Sequence, residues 1–273
     1  MFNEDLKRIQ RMAPLMRRVL IVDPAVASAR LLTEVMRNIV QVQVWHAATT
    51  RKGLEAAAQV NPQLVFVELA GPDVDGVEFS RLLRRSNLPC RQVPIIMVTA
   101  TATAGGILAA RDAGVHEFLR KPYTAKDLLR RLEAVTLHPR DWVEAVEYVG
   151  PDRRRFNSGD YSGPLKRRSD VGATPDAQRI SQALKIIRSA IPAAATDPHQ
   201  AMRALLAQTV ELQRGAQVTD NAELAAAVAE FQRYLAGVAQ SGVMLPDQIA
   251  RHAADVLAFL PESEDASGKD CAA

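Results

Sequence analysis

The sequence predicts an α/β fold, a doubly wound five-stranded parallel sheet, followed by an all-α helical bundle. From residue 18 to residue 138, short apolar segments alternate with amphipathic segments of helical period. The strands are mostly apolar throughout, which is typical of a parallel sheet covered by helices on both faces. From residue 174 onward, four capped segments carry apolar stripes wide enough to pack as an antiparallel bundle.

Length and composition narrow the class of protein. The chain has 273 residues, 48% of them hydrophobic, which is enough for one large or two modest domains. No segment approaches the roughly 20 apolar residues of a membrane span, and the N-terminus lacks the hydrophobic region of a signal peptide. Two cysteines, Cys90 and Cys271, are too few for a disulfide framework. We therefore expect a cytoplasmic protein with no membrane span.

Residues 1–17 are predicted to form an amphipathic leader helix. Their apolar residues recur at helical spacing, and Asn3 is a candidate N-terminal cap. Such a helix can pack within the chain or pair with a partner, and the sequence leaves both open. The apolar stripe consists of Phe2, Leu6, Ile9 and Met12 with Ala13.

Residues 18–138 are predicted to form the α/β domain, and each element follows from its apolar pattern and its breakers. A proline suits only the first position of a strand, so Pro94 is placed at the start of the fourth strand. Gly114 is expected to end the helix predicted over residues 104–113. The predicted strands are residues 19–22, 40–45, 64–67, 94–98 and a short segment at Phe118, and the predicted helices cover Leu31 to Met36 and residues 52–60, 77–84, 104–113 and 125–135.

Residues 139–173 interrupt the alternation of predicted strands and helices. Proline, glycine, serine and charged residues dominate, which indicates an Arg-rich basic linker or an ordered extension outside the core. Residues 262–273 are predicted to be a disordered tail.

The helical bundle is predicted over residues 174–261. Each of its four helices begins at a capping residue or a proline, and each carries apolar residues at helical spacing. The four helices are predicted to begin, in order, at Thr174-Pro175, at Asp197-Pro198, at a capping box of Asp220 with Glu223, and at Pro246-Asp247. In the same order, their apolar stripes run from Ile180 to Ile191, through Met202, Leu205, Leu206 and Val210, from Leu224 to Leu235, and from Ile249 to Leu260.

Chemically distinctive residues follow the ends of the predicted strands, where an open parallel sheet places its functional groups. Their types and spacing resemble the receiver domain of two-component response regulators, which has a flavodoxin-like fold. The resemblance covers residues 18 to about 137. The residues that carry it are Asp23 and Pro24 after the first strand, Glu68 with the turn-rich Gly71–Gly76 segment after the third, Thr99 after the fourth, and Phe118 with Lys121-Pro122 around the fifth.

The resemblance implies a role for each of these positions. Glu68 stands where the family has the aspartate that accepts a phosphoryl group. Asp23 keeps one carboxylate of the family's acidic pair, but Pro24 replaces the other. Because Mg²⁺ needs carboxylate ligands beside phosphate oxygens and water, its binding is expected to be weakened, and no metal or other cofactor is predicted. Thr99, Phe118 and Lys121 match the switch positions, and Lys121 is expected to form an ion pair with the acidic pocket.

These departures predict a regulatory or adapter protein that acts through protein–protein contacts without phosphorylation. Two interpretations of Glu68 stay open. Its longer side chain extends a negative charge farther from the backbone, so it could hold an activated-like state, or it could be tolerated at an unused site. A phosphorylatable response regulator is an alternative. The expected contact surface is the fourth helix, fifth strand and fifth helix of the receiver-like domain.

Two clusters of basic residues flank a tyrosine and a Gly-Pro pair in the linker. Guanidinium groups bind phosphates in a bidentate manner, so a cyclic di-GMP-binding effector is a second alternative. A solvated basic linker explains the same residues. DNA binding is not expected, since the bundle contains no helix-turn-helix with a basic recognition helix. The clusters consist of Arg153, Arg154, Arg155, Lys166, Arg167 and Arg168.

The helical half gives no catalytic motif. His252 lies on a predicted helix, but it lacks the neighbouring Lys-Gly of a histidine phosphotransfer motif and is interpreted as a surface or packing histidine. A Ser-His-Asp set, a Walker loop and a dinucleotide fingerprint are all missing from the sequence. We therefore predict a non-enzymatic protein with a protein partner in a bacterial signalling pathway. The sequence leaves open whether the chain forms a homodimer.

Overall fold

The computed structural model describes residues 2–153 and 174–260, with side chains from residue 6 onward. Within these ranges the chain divides by its internal contacts into two units. The first comprises residues up to 143 together with residues 148–153, and the second comprises residues 144–147 together with residues 174–260. Each unit has its own apolar core.

A five-stranded parallel sheet forms the centre of the first unit. Its strand order is β2-β1-β3-β6-β7, which is the doubly wound order of a flavodoxin-like fold and confirms the predicted fold class. A short antiparallel pair, β4 with β5, follows β3. The strands are β1 (Arg18–Val22), β2 (Gln43–Ala47), β3 (Leu64–Glu68), β4 (Ala70–Gly71), β5 (Val74–Asp75), β6 (Ile95–Thr99) and β7 (Glu117–Arg120).

Helices cover both faces of this sheet, as its apolar strands require. The apolar side chains of alternating strand residues therefore divide between two clusters, one on each face. The helices are α1 (Phe2–Met12), α2 (Val26–Ile39), α3 (Thr50–Val60), α4 (Gly76–Arg85), α5 (Ala104–Asp112) and α6 (Ala125–Thr136). Residues of α1, α2 and α6 line one cluster, and residues of α3, α4 and α5 line the other.

The second strand begins later than the sequence predicts. Val40, which the alternating pattern places in the strand, is instead the residue that ends α2, and its N–H donates to Met36 O. β2 starts at Gln43. The apolar side chain of Val40 is buried in the cluster that α1, α2 and α6 line. This burial explains why the sequence pattern places Val40 in a strand.

The leader helix packs within the chain. α1 begins at Phe2, so Asn3 lies inside its first turn and does not precede it. Met12 and Met16 are fully buried in the same core as α2 and α6, while Leu6 is 55% exposed. The helix therefore extends the core of the sheet.

Part of the predicted linker is ordered. Residues 142–151 contain two short strands that form a separate two-stranded sheet, β8 (Trp142–Glu144) and β9 (Val149–Pro151). Tyr148 and Val149 are buried. This stretch corresponds to the ordered extension that the sequence left open beside a linker, because an aromatic and a branched apolar residue supply buried surface within a polar sequence. The predicted 262–273 tail lies outside the described residues.

Four helices, α7 (Pro175–Ala193), α8 (Pro198–Val218), α9 (Ala222–Ser241) and α10 (Pro246–Leu257), enclose the core of the second unit. Thr174 caps α7 and Asp197 caps α8, as predicted. The N-terminal cap of α9 differs from the predicted Asp220. Asn221 accepts the hydrogen bond from Leu224 N, whereas Asp220 precedes it in a left-handed backbone conformation with φ +50°.

The predicted apolar stripe of α8 is only partly correct. Leu205 is fully buried, but Leu206 and Val210 are 39% and 62% exposed. Small and polar residues, among them Ala204 and Gln208, take the inward positions instead. Hydrophobicity alone points to the larger residues, whereas the close approach of neighbouring helices selects small ones.

A membrane-spanning helix is not found in the described parts of the chain, because none of the helices there is both long and apolar enough.

Candidate functional site

Four polar side chains meet at the carboxyl edge of the parallel sheet. Asp23 directly follows β1, Glu68 is the last residue of β3, Thr99 is the last residue of β6, and Lys121 directly follows β7. Parallel strands end at a common edge, so residues far apart in sequence become neighbours. Asp23 N donates to Ala47 O and Lys121 N donates to Thr99 O, which extends the sheet ladder to the site itself.

The Lys121 ammonium bridges the two carboxylates. Its Nζ lies 2.6 Å from Glu68 Oε2 and 3.0 Å from Asp23 Oδ2. The side chains of Glu68 and Asp23 are 10% and 7% exposed, so these ion pairs form largely out of solvent. Partial removal from water strengthens the attraction but also carries a cost for each ion.

These contacts change the protonation of Lys121. Burial alone lowers its pKa, but the hydrogen bonds and charges of Glu68 and Asp23 oppose this effect and raise the pKa above its ordinary value. Lys121 therefore stays charged throughout the physiological range. Burial also raises the pKa of the neighbouring Tyr123.

The other oxygen of each carboxylate is also occupied. Asp23 Oδ1 accepts from Ala25 N at 2.8 Å, and Glu68 Oε1 accepts from Leu69 N at 3.1 Å. Pro24 supplies neither a carboxylate nor an N–H. The described residues contain no group of three or more His, Cys, Asp or Glu that could hold a metal. This donor set, with an ammonium between its two carboxylates, does not fit a divalent cation.

Pro24 also occupies space beside the site. A Cβ at Gly71 would lie 2.7 Å from Pro24 Cγ, so the proline ring packs closely against the β4 backbone. The sequence identifies Pro24 only by the carboxylate it lacks. Its contact with Gly71 depends on the path of the β4–β5 turn.

The other two predicted switch residues, Thr99 and Phe118, lie in β6 and β7. Thr99 is buried, and its hydroxyl accepts from Thr101 N at 3.2 Å. Phe118, in β7, is half-buried against the apolar cluster on the α3 and α4 side of the sheet. The Lys121–Pro122 peptide bond is cis.

Of the candidate ligand-binding arginines, only Arg153 lies within the described residues. Its NH1 contacts Asp112 Oδ1 at 2.7 Å, and its guanidinium carbon lies 4.3 Å from the ring centroid of Tyr148. It is thus engaged with the end of α5. Arg154, Arg155, Arg167 and Arg168 lie outside the described residues.

Sequence reasoning missed a second polar cluster, centred on Arg84 at the end of α4. Arg84 is 1% exposed, and burial lowers its pKa to about 9. It donates to the carbonyls of Gly114, Arg91 and Val93 and contacts His116 Nδ1. The only sign of this cluster in the sequence was that Arg84, a charged residue, follows Leu83 on the apolar face of a helix.

Comparison with known proteins agrees with the resemblance of the first unit to a receiver domain. Residues 19–133 match the family model of the response regulator receiver domain. The chain is 36% identical over 117 residues to the KDP operon transcriptional regulatory protein KdpE of Escherichia coli, covering 43% of this chain and 50% of that protein. It is 29% identical over 121 residues to the DNA-binding response regulator MtrA of Mycobacterium tuberculosis, with the same coverage of each.

Residues 19–133 therefore form a response regulator receiver domain, as that family model describes it. The chain spans about half of the length of the curated relatives it matches, and the match lies in the first unit. Among solved structures, the chemotaxis protein CheY4 of Vibrio cholerae is 23% identical, with a TM-score of 0.41, over 44% of this chain and 98% of that one.

Proposed function

We propose that this protein is a regulatory or adapter component of a bacterial two-component pathway, and that it acts through protein contacts without phosphorylation of Glu68. The observation that carries the proposal is the position of Lys121 Nζ, 2.6 Å from Glu68 Oε2 and 3.0 Å from Asp23 Oδ2. The ammonium offsets one of the two negative charges of the acidic pocket and lies between the carboxylates that a metal would need, so efficient transfer of a phosphoryl group is not expected.

The same contacts support an inert acceptor. Both oxygens of Glu68 already accept a hydrogen bond, one from Lys121 and one from the backbone N–H of Leu69. The hydrogen bond from the Lys121 ammonium makes Glu68 Oε2 a weaker nucleophile, and phosphoryl transfer also needs a metal to offset the growing charge. In this account Glu68 serves as a permanent charge that holds Lys121, and protein contacts provide regulation.

Phosphorylation is tested on the full chain with acetyl phosphate, and with beryllofluoride, in the presence of Mg²⁺. We expect no phosphoryl adduct by intact mass and no change in tryptophan fluorescence. The matched variant Glu68→Asp/Pro24→Asp places the family's aspartate at the acceptor position and restores the second acid after β1, and it is expected to respond. An adduct on the wild-type chain that Glu68→Gln abolishes would overturn the proposal and favour the phosphorylatable alternative.

The proposed contact surface consists of α5, β7 and α6. α5 carries Ile107 and Leu108, which are 43% and 49% exposed, and such apolar side chains favour protein contacts. Arg120 of β7 is also exposed. The partner is expected to be another signalling protein in the cytoplasm, and a second copy of this chain is one candidate.

Partner capture from a bacterial lysate tests this surface. Leu108→Asp is expected to reduce capture at least several-fold, whereas Leu82→Asp, on the α4 surface with 46% exposure, serves as the matched control. Equal capture by both variants would exclude the α5 surface. Equal capture by wild type and Glu68→Ala would show that Glu68 has no active role in partner choice.

The cyclic di-GMP alternative is tested by calorimetry with that nucleotide. Arg153 is already paired with Asp112, so binding through it would have to break that ion pair. We expect no binding heat from the wild-type chain. Binding that is lost in Arg153→Ala/Arg154→Ala/Arg155→Ala would instead establish the linker as a nucleotide site.

A further inference from the structure

The two outer strands of the five-stranded sheet differ in how well they are protected from pairing with another chain. These strands are β2 and β7, and an outer strand has backbone N–H and C=O groups that another strand can use. β7 carries Glu117, which forms an ion pair with Arg131 at 3.0 Å, and the exposed Arg120. Charged side chains of this kind discourage pairing at a sheet edge.

The other outer strand, β2, lacks this protection. From Asn38 to Thr50 the sequence contains no Asp, Glu, Lys or Arg, although these residues make up 24% of the chain. β2 itself has no proline, and its Trp45 is only half-buried. A strand edge without charge or proline readily accepts another strand.

Two hydrogen bonds show which way the β2 backbone faces. Gln43 N donates to Arg17 O, and Ala47 O accepts from Asp23 N, so both ends of the strand direct backbone groups toward β1. The direction of these groups alternates from one residue to the next along a strand. Trp45, two residues from each end, therefore also faces β1.

The backbone groups of Val44 and His46 consequently point to the free side of β2. In the parts of the chain that the structure describes, β1 is the only strand that pairs with β2. The His46 ring lies on the α2 side, because its Nε2 is 2.9 Å from Thr33 Oγ1, a hydroxyl that itself donates to Ala29 O. The β2 edge thus presents two N–H and two C=O groups.

We propose that the β2 edge is an interface for a second copy of this chain, formed by antiparallel pairing of β2 with β2 about a twofold axis at Trp45. Outward-facing residues must lie opposite each other, and this register places Val44 opposite His46 twice. All four outward-facing N–H groups of the two strands then donate to C=O groups. Any other antiparallel register leaves some of them unpaired within the strand.

The same register also places the two Trp45 side chains opposite each other. Trp45 occupies a non-hydrogen-bonded position in this pairing, where side chains approach most closely and aromatic pairs stabilise a sheet. The strand is therefore complementary to itself in its backbone groups and at its central side chain. A twofold contact of this kind closes after two copies, so it predicts a dimer.

Sedimentation of the full chain over a dilution series tests the dimer. Val44→Pro removes one outward-facing N–H from each copy and leaves the bonds to β1 intact, so we expect at least about tenfold weaker dimerisation. Val44→Thr keeps the N–H and the branched shape, and as the matched control it should dimerise like the wild type. A monomeric wild-type chain, or Val44→Pro with unchanged dimerisation, would overturn the proposal.

A second pair of variants covers the case that Val44→Pro does not fold. Trp45→Lys places two like charges opposite each other and should also abolish the dimer, whereas Trp45→Phe keeps an aromatic pair and should retain it. Leu108→Asp, on α5, should leave the dimer unchanged, because α5 is not part of the β2 edge. A dimer that Leu108→Asp dissociates and Trp45→Lys does not would overturn this interface.

Disulfide cross-linking tests the register in a Cys271→Ser background, in which the remaining Cys90 is only 5% exposed. Trp45→Cys should form a covalent dimer on mild oxidation, since opposite residues of this type are about 4.5 Å apart between Cα atoms. Gln43→Cys is the matched control, because its copies lie four residues, about 13 Å, apart along the strand. Cross-linking of Gln43→Cys as efficient as that of Trp45→Cys would contradict the proposed pairing.

Discussion

Lys121 lies between two carboxylates that are both nearly out of solvent, which makes it the residue with the largest electrostatic role in the site. Lys121→Met would leave Glu68 and Asp23 as neighbouring uncompensated charges. We expect the free energy of unfolding to fall by about 2 kcal/mol, since removing one member of a buried ion pair is costlier than the pair itself is stabilising. Urea denaturation at neutral pH measures this loss.

The control for Lys121→Met is a second substitution in the same site. Adding Glu68→Gln removes one of the two unpaired charges, so the double variant is expected to recover part of the lost stability. Independent, additive costs of the two substitutions would contradict the ion-pair account.

His116 is the residue with the strongest expected pH dependence. Burial lowers its pKa well below the ordinary value of 6.5, and Arg84 and Arg140 lower it further. Its Nδ1 is close to two donors, Ile95 N and Arg84 NH2, so the ring is neutral with Nδ1 as acceptor. Below pH 6.5 the unfolded chain takes up a proton that the folded chain excludes. The stability from His116 is therefore full above pH 6.5 and is lost as the pH falls toward the lowered pKa.

Denaturation at pH 7 and pH 5 tests this sign. The wild-type chain should lose more stability than His116→Asn over this interval, because only the wild-type chain carries an imidazole that takes up its proton more readily when unfolded. The pKa of His46 is also lowered, by burial and nearby arginines, but His46 is present in both proteins and cancels in the comparison. Equal losses would exclude His116 as the source.

The start of α9 shows how one residue position changes an element. Asn221 accepts from Leu224 N and is the cap, while Asp220 adopts φ +50°. Asn221→Ala is expected to lower the free energy of unfolding by about 1 kcal/mol. Asp220→Gly should be neutral or slightly stabilising, because glycine adopts a positive φ without steric cost. Thermal unfolding measures the loss of stability in both variants. A larger loss of stability for Asp220→Gly than for Asn221→Ala would show that Asp220 is the cap.

Within the described residues, the sheet unit has an apolar cluster on each face of its sheet, and the helical unit has a core of its own. Phe79 is fully buried in the sheet unit, and Phe231 is fully buried in the helical unit. Truncation of a buried phenylalanine costs about 3–5 kcal/mol. Phe79→Ala should therefore accelerate amide exchange most strongly in β1, β3 and β6, and Phe231→Ala most strongly in α7 to α10. The same pattern of exchange in both variants would indicate a single cooperative core.

The sequence by itself was sufficient for the architecture of the receiver domain. Apolar strand segments and amphipathic helices alternate because each strand must be covered on both faces, and that pattern is local. The residues at the strand ends were also predictable, since Asp23, Glu68 and Thr99 each directly follow or end an apolar segment. Their convergence follows from the common edge of parallel strands.

The resemblance already implied an ion pair of Lys121 with the acidic pocket, but only the tertiary structure decided the partners of other buried groups. The burial of Arg84 and the glycine contact between Gly114 and Gly150 join residues that are distant in sequence. The inward face of α8 was also decided by the tertiary structure. Close packing placed small residues there, whereas hydrophobicity alone pointed to Leu206 and Val210. Local pattern records which side chains tend to be buried, but the path of the chain in space determines what each buried group meets.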